Sequence, residues 1–195
     1  MKYPNGESYE AKPKKEKKTT RGILNAGNRG MSLEEDINLS NDYYNEKNIC
    51  LITKRPTPIN IVKVDYSRGA KITDAYFEKQ STTDYNGVYK GRYIDFEAKN
   101  TKNKSSFPLA NIPPQQIDHL QRVIYHGGIA FFLIRFESLG ETYLLDASFV
   151  IDFYLHNERK SIPYAIFKEE GILIIEGLRP RLNYIDAVET KYFKK

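Results

Sequence analysis

The amino-acid sequence predicts an α/β domain in which helices flank one mixed sheet. Ser32 and Glu35 form a capping box, which predicts a helix start at this point. Residues 93–99 alternate between apolar and polar side chains, as is typical of a strand. Residues 129–136 are almost all apolar and predict a central strand that is covered on both faces. Because helical and strand patterns interleave along the chain, we expect one domain layered around a sheet.

The first predicted helix spans residues 32–45. Leu33, Ile37 and Tyr44 share one of its faces at helical spacing, so we expect that face to pack on the core. The next apolar run, residues 49–52, predicts a short buried strand.

A hairpin is predicted after a turn at Pro56 and Pro58, since these prolines cannot continue a central strand. Residues 59–64 form its outgoing strand, residues 67–69 signal the turn, and residues 72–78 return antiparallel. A lone hairpin is marginally stable in water. We therefore expect this one to meet a partner surface, as a protrusion, a dimer contact or a DNA probe.

The second half of the chain continues the alternation of helices and strands. Pro114 suits the first turn of a helix, which the glycine pair at residues 127–128 ends. Beyond the central strand, the patterns predict a strand at 142–145, a helix at 147–156 and a strand at 172–175.

The excess positive charge is confined to the N-terminal segment. The net charge is +5; residues 1–30 carry 8 Lys and Arg against 3 Asp and Glu, and the rest of the chain carries 22 of each. Residues 1–28 lack apolar periodicity and are expected to form a disordered basic arm. A basic arm on a neutral body favours a polyanionic partner, nucleic acid first, and the alternative is a solvated tail.

Composition excludes several classes of protein. No apolar run approaches the roughly 20 residues of a membrane-spanning helix, so no membrane association is expected. The N-terminus has no apolar stretch suited to a secretory signal, and a single cysteine, Cys50, allows no intrachain disulfide. We therefore expect a cytoplasmic protein. The histidines at 119, 126 and 156 lack metal-ligand spacing, so a zinc site is not expected.

Charged residues share one face of the strand predicted at 93–99. They are Asp95, Glu97 and Lys99, and three charges in this pattern ordinarily indicate a solvent face. The preceding segment favours another interpretation. Thr82 and Asp84 lie two positions apart before a short connection, and a hairpin there would bring Asp84 beside Glu97.

This set suits phosphodiester hydrolysis. Two carboxylates can hold a divalent cation, usually Mg²⁺, which polarises a phosphoryl oxygen and lowers the pKa of a bound water. A nearby lysine can orient that water and stabilise the negative charge of the transition state. Asp84, Glu97 and Lys99 are therefore the candidate catalytic residues.

Several motifs, spread over roughly residues 28–185, resemble the RecU-type Holliday junction resolvases. In chain order they are Asn28-Arg29-Gly30-Met31, Arg55-Pro56-Thr57-Pro58-Ile59, Lys63-Val64-Asp65-Tyr66, the run from Ser81 to Gly87, Tyr93-Ile94-Asp95-Phe96-Glu97-Ala98-Lys99, Phe107-Pro108-Leu109 and Arg159-Lys160-Ser161-Ile162-Pro163.

The resemblance implies a restriction-endonuclease-like fold of the PD-(D/E)xK nucleases, with a single nuclease domain at 29–195. It also implies symmetric nicking of four-way DNA junctions by a homodimer in recombination and repair, with Mg²⁺ as cofactor and Mn²⁺ as a possible substitute. Residue by residue, Asp84 and Glu97 match metal-binding carboxylates, Thr82 and Gln116 match further metal-site positions, and Lys99 matches the transition-state stabiliser.

The resemblance further implies where DNA is contacted. Residues 58–77 match a protruding stalk that enters the junction, and the basic arm matches a DNA-contacting arm. Candidate DNA-binding residues are Arg21, Arg29, Lys63 and Arg68. Recombinase and branch-migration proteins are implied as further partners.

Two alternatives remain open at this point. The same site chemistry serves PD-(D/E)xK repair or restriction nucleases that cut duplex DNA. A junction-binding architectural protein with a vestigial site is the non-enzymatic alternative.

The roles of two acidic residues are also open. Glu34 lies in a first helical turn, where the helix dipole favours an acid, but it could reach the metal. Asp95 is expected to support the site rather than to bind the metal.

Overall fold

The computed structural model describes residues 32–77 and 82–194. The helices are α1 (Leu33–Glu46), α2 (Pro114–Tyr125), α3 (Ala147–His156), α4 (Tyr164–Glu170) and α5 (Tyr184–Tyr192), with a 3₁₀ turn at Leu109–Asn111. The strands are β1 (Leu51–Lys54), β2 (Ile59–Asp65), β3 (Lys71–Phe77), β4 (Tyr85–Tyr89), β5 (Arg92–Thr101), β6 (Ser106–Pro108), β7 (Ile129–Phe136), β8 (Glu141–Asp146), β9 (Ser161–Pro163) and β10 (Ile172–Leu173).

A six-stranded mixed sheet forms the centre of the fold. Its strand order is β1-β4-β5-β7-β8-β10, with β5 and β7 parallel and the other neighbours antiparallel. A parallel pair needs a crossover connection, which α2 supplies between β5 and β7. The predicted α/β class, a mixed central sheet flanked by helices, is confirmed.

The two faces of the sheet carry separate apolar cores. Every residue of β7 is buried, as its apolar run predicts. Phe131 and Leu133 face a core shared with α1 and α5, whereas Phe132 and Ile134 face a core shared with α2, α3 and α4. Because strand side chains alternate between faces, neighbouring positions of β7 serve opposite layers.

The helix starts on either side of the candidate site follow from the sequence. In α1 the Ser32 hydroxyl accepts from the Glu35 N–H at 3.2 Å, and the Glu35 carboxylate accepts from the Ser32 N–H at 2.7 Å. The predicted capping box is therefore confirmed. In α2 the first residue is Pro114, whose missing N–H costs nothing at that position.

The predicted hairpin forms between β2 and β3, which pair with each other in a separate two-stranded sheet. Its turn is at residues 67–69, where Gly69 has a φ of +100°. Large apolar side chains of this hairpin are exposed: Ile59, Ile61, Val62, Tyr66, Ile72, Tyr76 and Phe77. The hairpin thus presents an apolar surface.

Some expectations were wrong or incomplete. The strand predicted as buried at 49–52 is β1, which begins at Leu51 and lies at the sheet edge; Leu51 is 55% exposed and only Ile52 of β1 is buried. The strand predicted at 172–175 ends at Leu173. The elements β6, β9, α4 and α5 were not predicted. The expected disordered arm at 1–28 lies outside the described residues. Among the described residues, no helix is long and apolar enough to cross a membrane.

Candidate active site

The β4–β5 hairpin brings Asp84 and Glu97 together. Tyr85 pairs with Phe96 in this antiparallel ladder, so Asp84, one residue before β4, lies beside Glu97. The Asp84 N–H donates to Glu97 Oε2 at 3.1 Å. Asp84 Oδ2 in turn accepts from the Ala98 N–H at 3.2 Å. These bonds fix both carboxylates at one end of the hairpin.

Helix α2 and Lys99 complete the surroundings of Glu97. Gln116, in the first turn of α2, donates from Nε2 to Glu97 Oε1 at 2.7 Å. Lys99 Nζ lies 2.6 Å from the same oxygen, and its side chain is 19% exposed. Glu97 itself is 1% exposed, because α2 covers this face of β5. The solvent-face alternative for this charged stripe therefore does not hold for Asp95 and Glu97, which are buried.

Burial raises the pKa of Glu97 from its ordinary 4.5 to about 8. The negative charge of Asp84 acts in the same direction, whereas the Lys99 ammonium acts against it. The ionised form of Glu97 is therefore costly in the protein alone. A second positive charge between the two carboxylates would lower that cost.

The donor set near Glu97 fits a hard cation. The Gln116 Oε1 atom is buried and has no hydrogen-bond partner, which is unusual for a buried acceptor. Carboxylate and amide oxygens are the ligands that Mg²⁺ accepts. Among residues 32–77 and 82–194, no group of three or more His, Cys, Asp and Glu could hold a metal. The oxygens brought together here are those of Asp84, Glu97 and Gln116.

Thr82 lies in the bend before β4 and is half-buried. It directly follows residues 78–81, which lie outside the described residues. Its place two positions before Asp84 is compatible with the role that the resemblance implies.

Asp95 is fully buried and is enclosed by donors. Its carboxylate accepts from Arg55 Nη2 at 2.6 Å, from the Tyr93 hydroxyl at 2.7 Å and from His119 Nε2 at 2.9 Å, and also from the Thr83 hydroxyl. Sequence reasoning missed Arg55, Thr83 and His119 as neighbours of the site. His119 lies three positions after Gln116, so helical spacing could have placed it on the same face of α2.

Glu34 and the candidate DNA-binding residues complete the set of predicted site residues. Glu34 forms an ion pair with Lys54, and its main-chain carbonyl accepts from the Tyr85 hydroxyl at 3.3 Å. Lys63 and Arg68 are exposed on the hairpin. Arg21 and Arg29 lie outside the described residues.

Comparison with known proteins identifies relatives over the whole chain. The family model described as "Recombination protein U" (RecU) matches residues 28–190. "Holliday junction resolvase RecU" of Geobacillus sp. (strain WCH70) is 52% identical over 199 residues, covering 99% of this chain and 98% of the relative. The protein of that name from Geobacillus kaustophilus (strain HTA426) is 49% identical over 200 residues, covering 100% and 99%.

Among solved structures, Hjc of Archaeoglobus fulgidus, a Holliday junction resolvase, is 11% identical with a TM-score of 0.42, covering 82% of this chain and 99% of that chain. The family match spans most of the chain and includes every candidate site residue except Arg21. This chain therefore belongs to the RecU family of Holliday junction resolvases.

Proposed function

We propose that this chain is an endonuclease that resolves four-way DNA junctions in recombination and repair, by nicking two strands symmetrically. The observation that carries the proposal is the convergence of Asp84, Glu97, Lys99 and Gln116 on one buried point. Metal-dependent phosphodiester hydrolysis uses such a set of carboxylates and a cation. Family membership supports the junction as substrate, because the relatives are named Holliday junction resolvases.

The proposed cofactor is Mg²⁺, with Mn²⁺ as a substitute, held by Asp84, Glu97, Gln116 and Thr82. When bound, the ion supplies Lewis-acid chemistry, by which a phosphoryl oxygen is polarised and the pKa of a bound water is lowered. The unpartnered Gln116 Oε1 and the raised pKa of Glu97 support this assignment.

The chain's own residues would do the remaining work. The Asp84 main chain and Gln116 hold the Glu97 carboxylate in one orientation. Glu97 in turn holds the Lys99 ammonium at the border of the buried site, where part of it remains exposed. A scissile phosphate entering there would meet a fixed positive charge, which stabilises the extra negative charge of the transition state.

We further propose a homodimer, because the two scissile strands of a four-way junction are related by a two-fold axis. The β2–β3 hairpin, with its exposed apolar side chains, would act as the stalk that enters the junction. Lys63 and Arg68 on the hairpin, with Arg21 and Arg29 of the arm, would contact phosphates. A DNA substrate favours a cytoplasmic location, where recombinase and branch-migration proteins are candidate partners.

The test is Mg²⁺-dependent cleavage of a mobile four-way junction beside a linear duplex of matching sequence. We expect paired symmetric nicks in the junction alone and their loss in Glu97→Ala. The matched control is Glu46→Ala, at the exposed end of α1, which should cut like the unaltered protein. Tight junction binding without cleavage under Mg²⁺ and Mn²⁺ would instead favour an architectural protein. Cleavage of the duplex would favour a repair or restriction nuclease.

A further inference from the structure

The Asp95 carboxylate joins three parts of the molecule that are distant in sequence. Arg55 lies at the root of the β2–β3 hairpin, one residue after β1. Thr83 immediately precedes the candidate metal ligand Asp84, and His119 lies one turn after Gln116 on α2. All three side chains donate to Asp95. One buried anion thus connects the hairpin root, residues 82–84 before β4 (the Asp84 loop) and the helix that carries Gln116.

Arg55 contributes two hydrogen bonds to this connection. Its guanidinium donates to Asp95 Oδ2 at 2.6 Å, and its main-chain N–H donates to the Asp84 carbonyl at 2.8 Å. The hairpin begins four residues later, at Ile59. Arg55 therefore connects the hairpin root to Asp84 through its main chain and to Asp95 through its side chain.

A buried carboxylate must be fully hydrogen-bonded, because an unpaired charge without water is strongly unfavourable. The donors around Asp95 are consequently held in the one arrangement that satisfies it. Asp95 also lies two positions before Glu97 on the same face of β5, so the arrangement is adjacent to the carboxylates themselves.

We propose that Asp95 is a positioning residue that sets the geometry of the Asp84 loop from the root of the hairpin. This rests on the proposed function. On this view Asp95 touches neither DNA nor metal. It acts through Thr83 and Arg55, so that the element proposed to enter the junction and the carboxylates proposed to cut it share one buried support.

The molecule contains a matched comparison on the opposite face of the sheet. Asp36 is also buried and also binds arginines, with Arg135 Nη2 at 2.6 Å and Arg181 Nε at 3.0 Å. Arg135 follows Phe131 and Leu133 on the face of β7 away from Glu97. Asp36→Asn therefore removes an equally buried charge without touching the candidate site.

The experiment measures single-turnover junction cleavage with saturating enzyme over a series of Mg²⁺ concentrations. Junction affinity without divalent metal and thermal stability are measured for the same proteins. Since small displacements of reacting groups are costly, we expect Asp95→Asn to cut roughly tenfold to a hundredfold more slowly at saturating Mg²⁺. We expect it to need more Mg²⁺ for its half-maximal rate and to retain junction affinity within about threefold.

Thr83→Val tests the same link by a milder change, since it removes one donor and keeps the shape of the side chain. It should shift the rate and the Mg²⁺ requirement in the same direction. The double variant Thr83→Val/Asp95→Asn should be no slower than Asp95→Asn alone, because both substitutions disrupt the same hydrogen bond between Thr83 and Asp95. Asp36→Asn should lower thermal stability and leave the rate of the folded enzyme unchanged.

Two results would overturn the proposal while leaving the proposed function intact. One is an Asp95→Asn enzyme that cuts junctions at the unaltered rate with the unaltered Mg²⁺ requirement. The other is equal slowing by Asp95→Asn and Asp36→Asn, since that would make the effect one of general stability. Failure of the unaltered protein to cut any junction would instead overturn the proposed function, and the positioning role with it.

Discussion

Replacing Glu97 by Gln should stabilise the protein in the absence of metal, although it should abolish cleavage. Glu97 is buried beside Asp84, and both conditions disfavour its ionised form. Glutamine has nearly the same shape and carries no charge. The substitution therefore removes a cost of folding while it removes a proposed metal ligand.

The size of the effect follows from the pKa of Glu97, which rises from 4.5 to about 8 on folding. At pH 7.5 the unfolded chain carries an ionised Glu97, whereas folding must protonate it or bury its charge. A difference of about three pKa units between that pH and the unfolded value corresponds to about 4 kcal/mol. Glutamine offers one acceptor oxygen where Glu97 accepts on both, from the Asp84 N–H and from Gln116. The lost hydrogen bond offsets part of the gain, so we expect a net gain of about 2 to 4 kcal/mol in the free energy of unfolding.

The gain should depend on pH with a definite sign. Because the folded pKa of this acid lies above its unfolded value, the folded state binds the extra proton between pH 4.5 and about 8. The free-energy cost of burying Glu97 is therefore absent below pH 4.5. It grows between pH 4.5 and about 8 and is constant at higher pH. The stability difference between Glu97→Gln and the unaltered protein should rise from pH 5 to pH 8 and then level off.

The assay is urea or thermal unfolding at fixed protein concentration in EDTA, repeated over this pH range. For a chain of this size the gain corresponds to an increase in Tm of roughly 5 to 12 °C near neutral pH. Glu46→Gln, an exposed control, should show no such increase. Added Mg²⁺ should stabilise the unaltered protein and leave Glu97→Gln unchanged. A variant that is less stable at pH 8, or equally stabilised at pH 5 and pH 8, would refute the reasoning.

Two further predictions concern the core and the proposed transition-state charge. Phe131 is fully buried in β7 and stacks on Phe96 at 4.7 Å, so Phe131→Ala should cost about 3 to 5 kcal/mol in urea unfolding; a loss below about 1 kcal/mol would contradict the two-faced core. Lys99→Met should slow junction cleavage by roughly a hundredfold or more and leave junction affinity unchanged, with the exposed Lys102→Met as control; equal rates for both variants would exclude the proposed role of Lys99.

The parts of the fold that local patterns specify could be predicted from the sequence. The capping box of α1 depends on residues three positions apart, and the burial of β7 depends on an unbroken apolar run. The helices α4 and α5 were missed because they are short and begin without a side-chain cap. The edge position of β1 was missed because an apolar run does not reveal how many neighbours a strand has.

In the candidate site, too, some contacts follow from local sequence patterns and others do not. The approach of Asp84 to Glu97 follows from a hairpin register, which alternation along β5 indicates. The enclosure of Asp95 does not follow from any local pattern. Its partners Arg55 and His119 lie 40 and 24 residues away in sequence and meet it only through the folded sheet and α2.

Asp95 and Glu97 occupy the same face of one strand and are both buried, yet their neighbours give them different chemistry. Asp95 is enclosed by a guanidinium, an imidazole and two hydroxyls, so its hydrogen-bonding capacity is used within the protein. Glu97 also accepts from Gln116, Lys99 and the Asp84 N–H, but it faces the negative charge of Asp84 and lies near the unpartnered oxygen of Gln116. Because its ionised form is disfavoured within the protein alone, Glu97 is the carboxylate better suited to bind a cation. The contrast separates the residue proposed to hold the site's shape from the residue proposed to perform its chemistry. It also explains why a neutral side chain at position 97 should stabilise the folded protein, whereas a neutral side chain at position 95 should misplace the Asp84 loop.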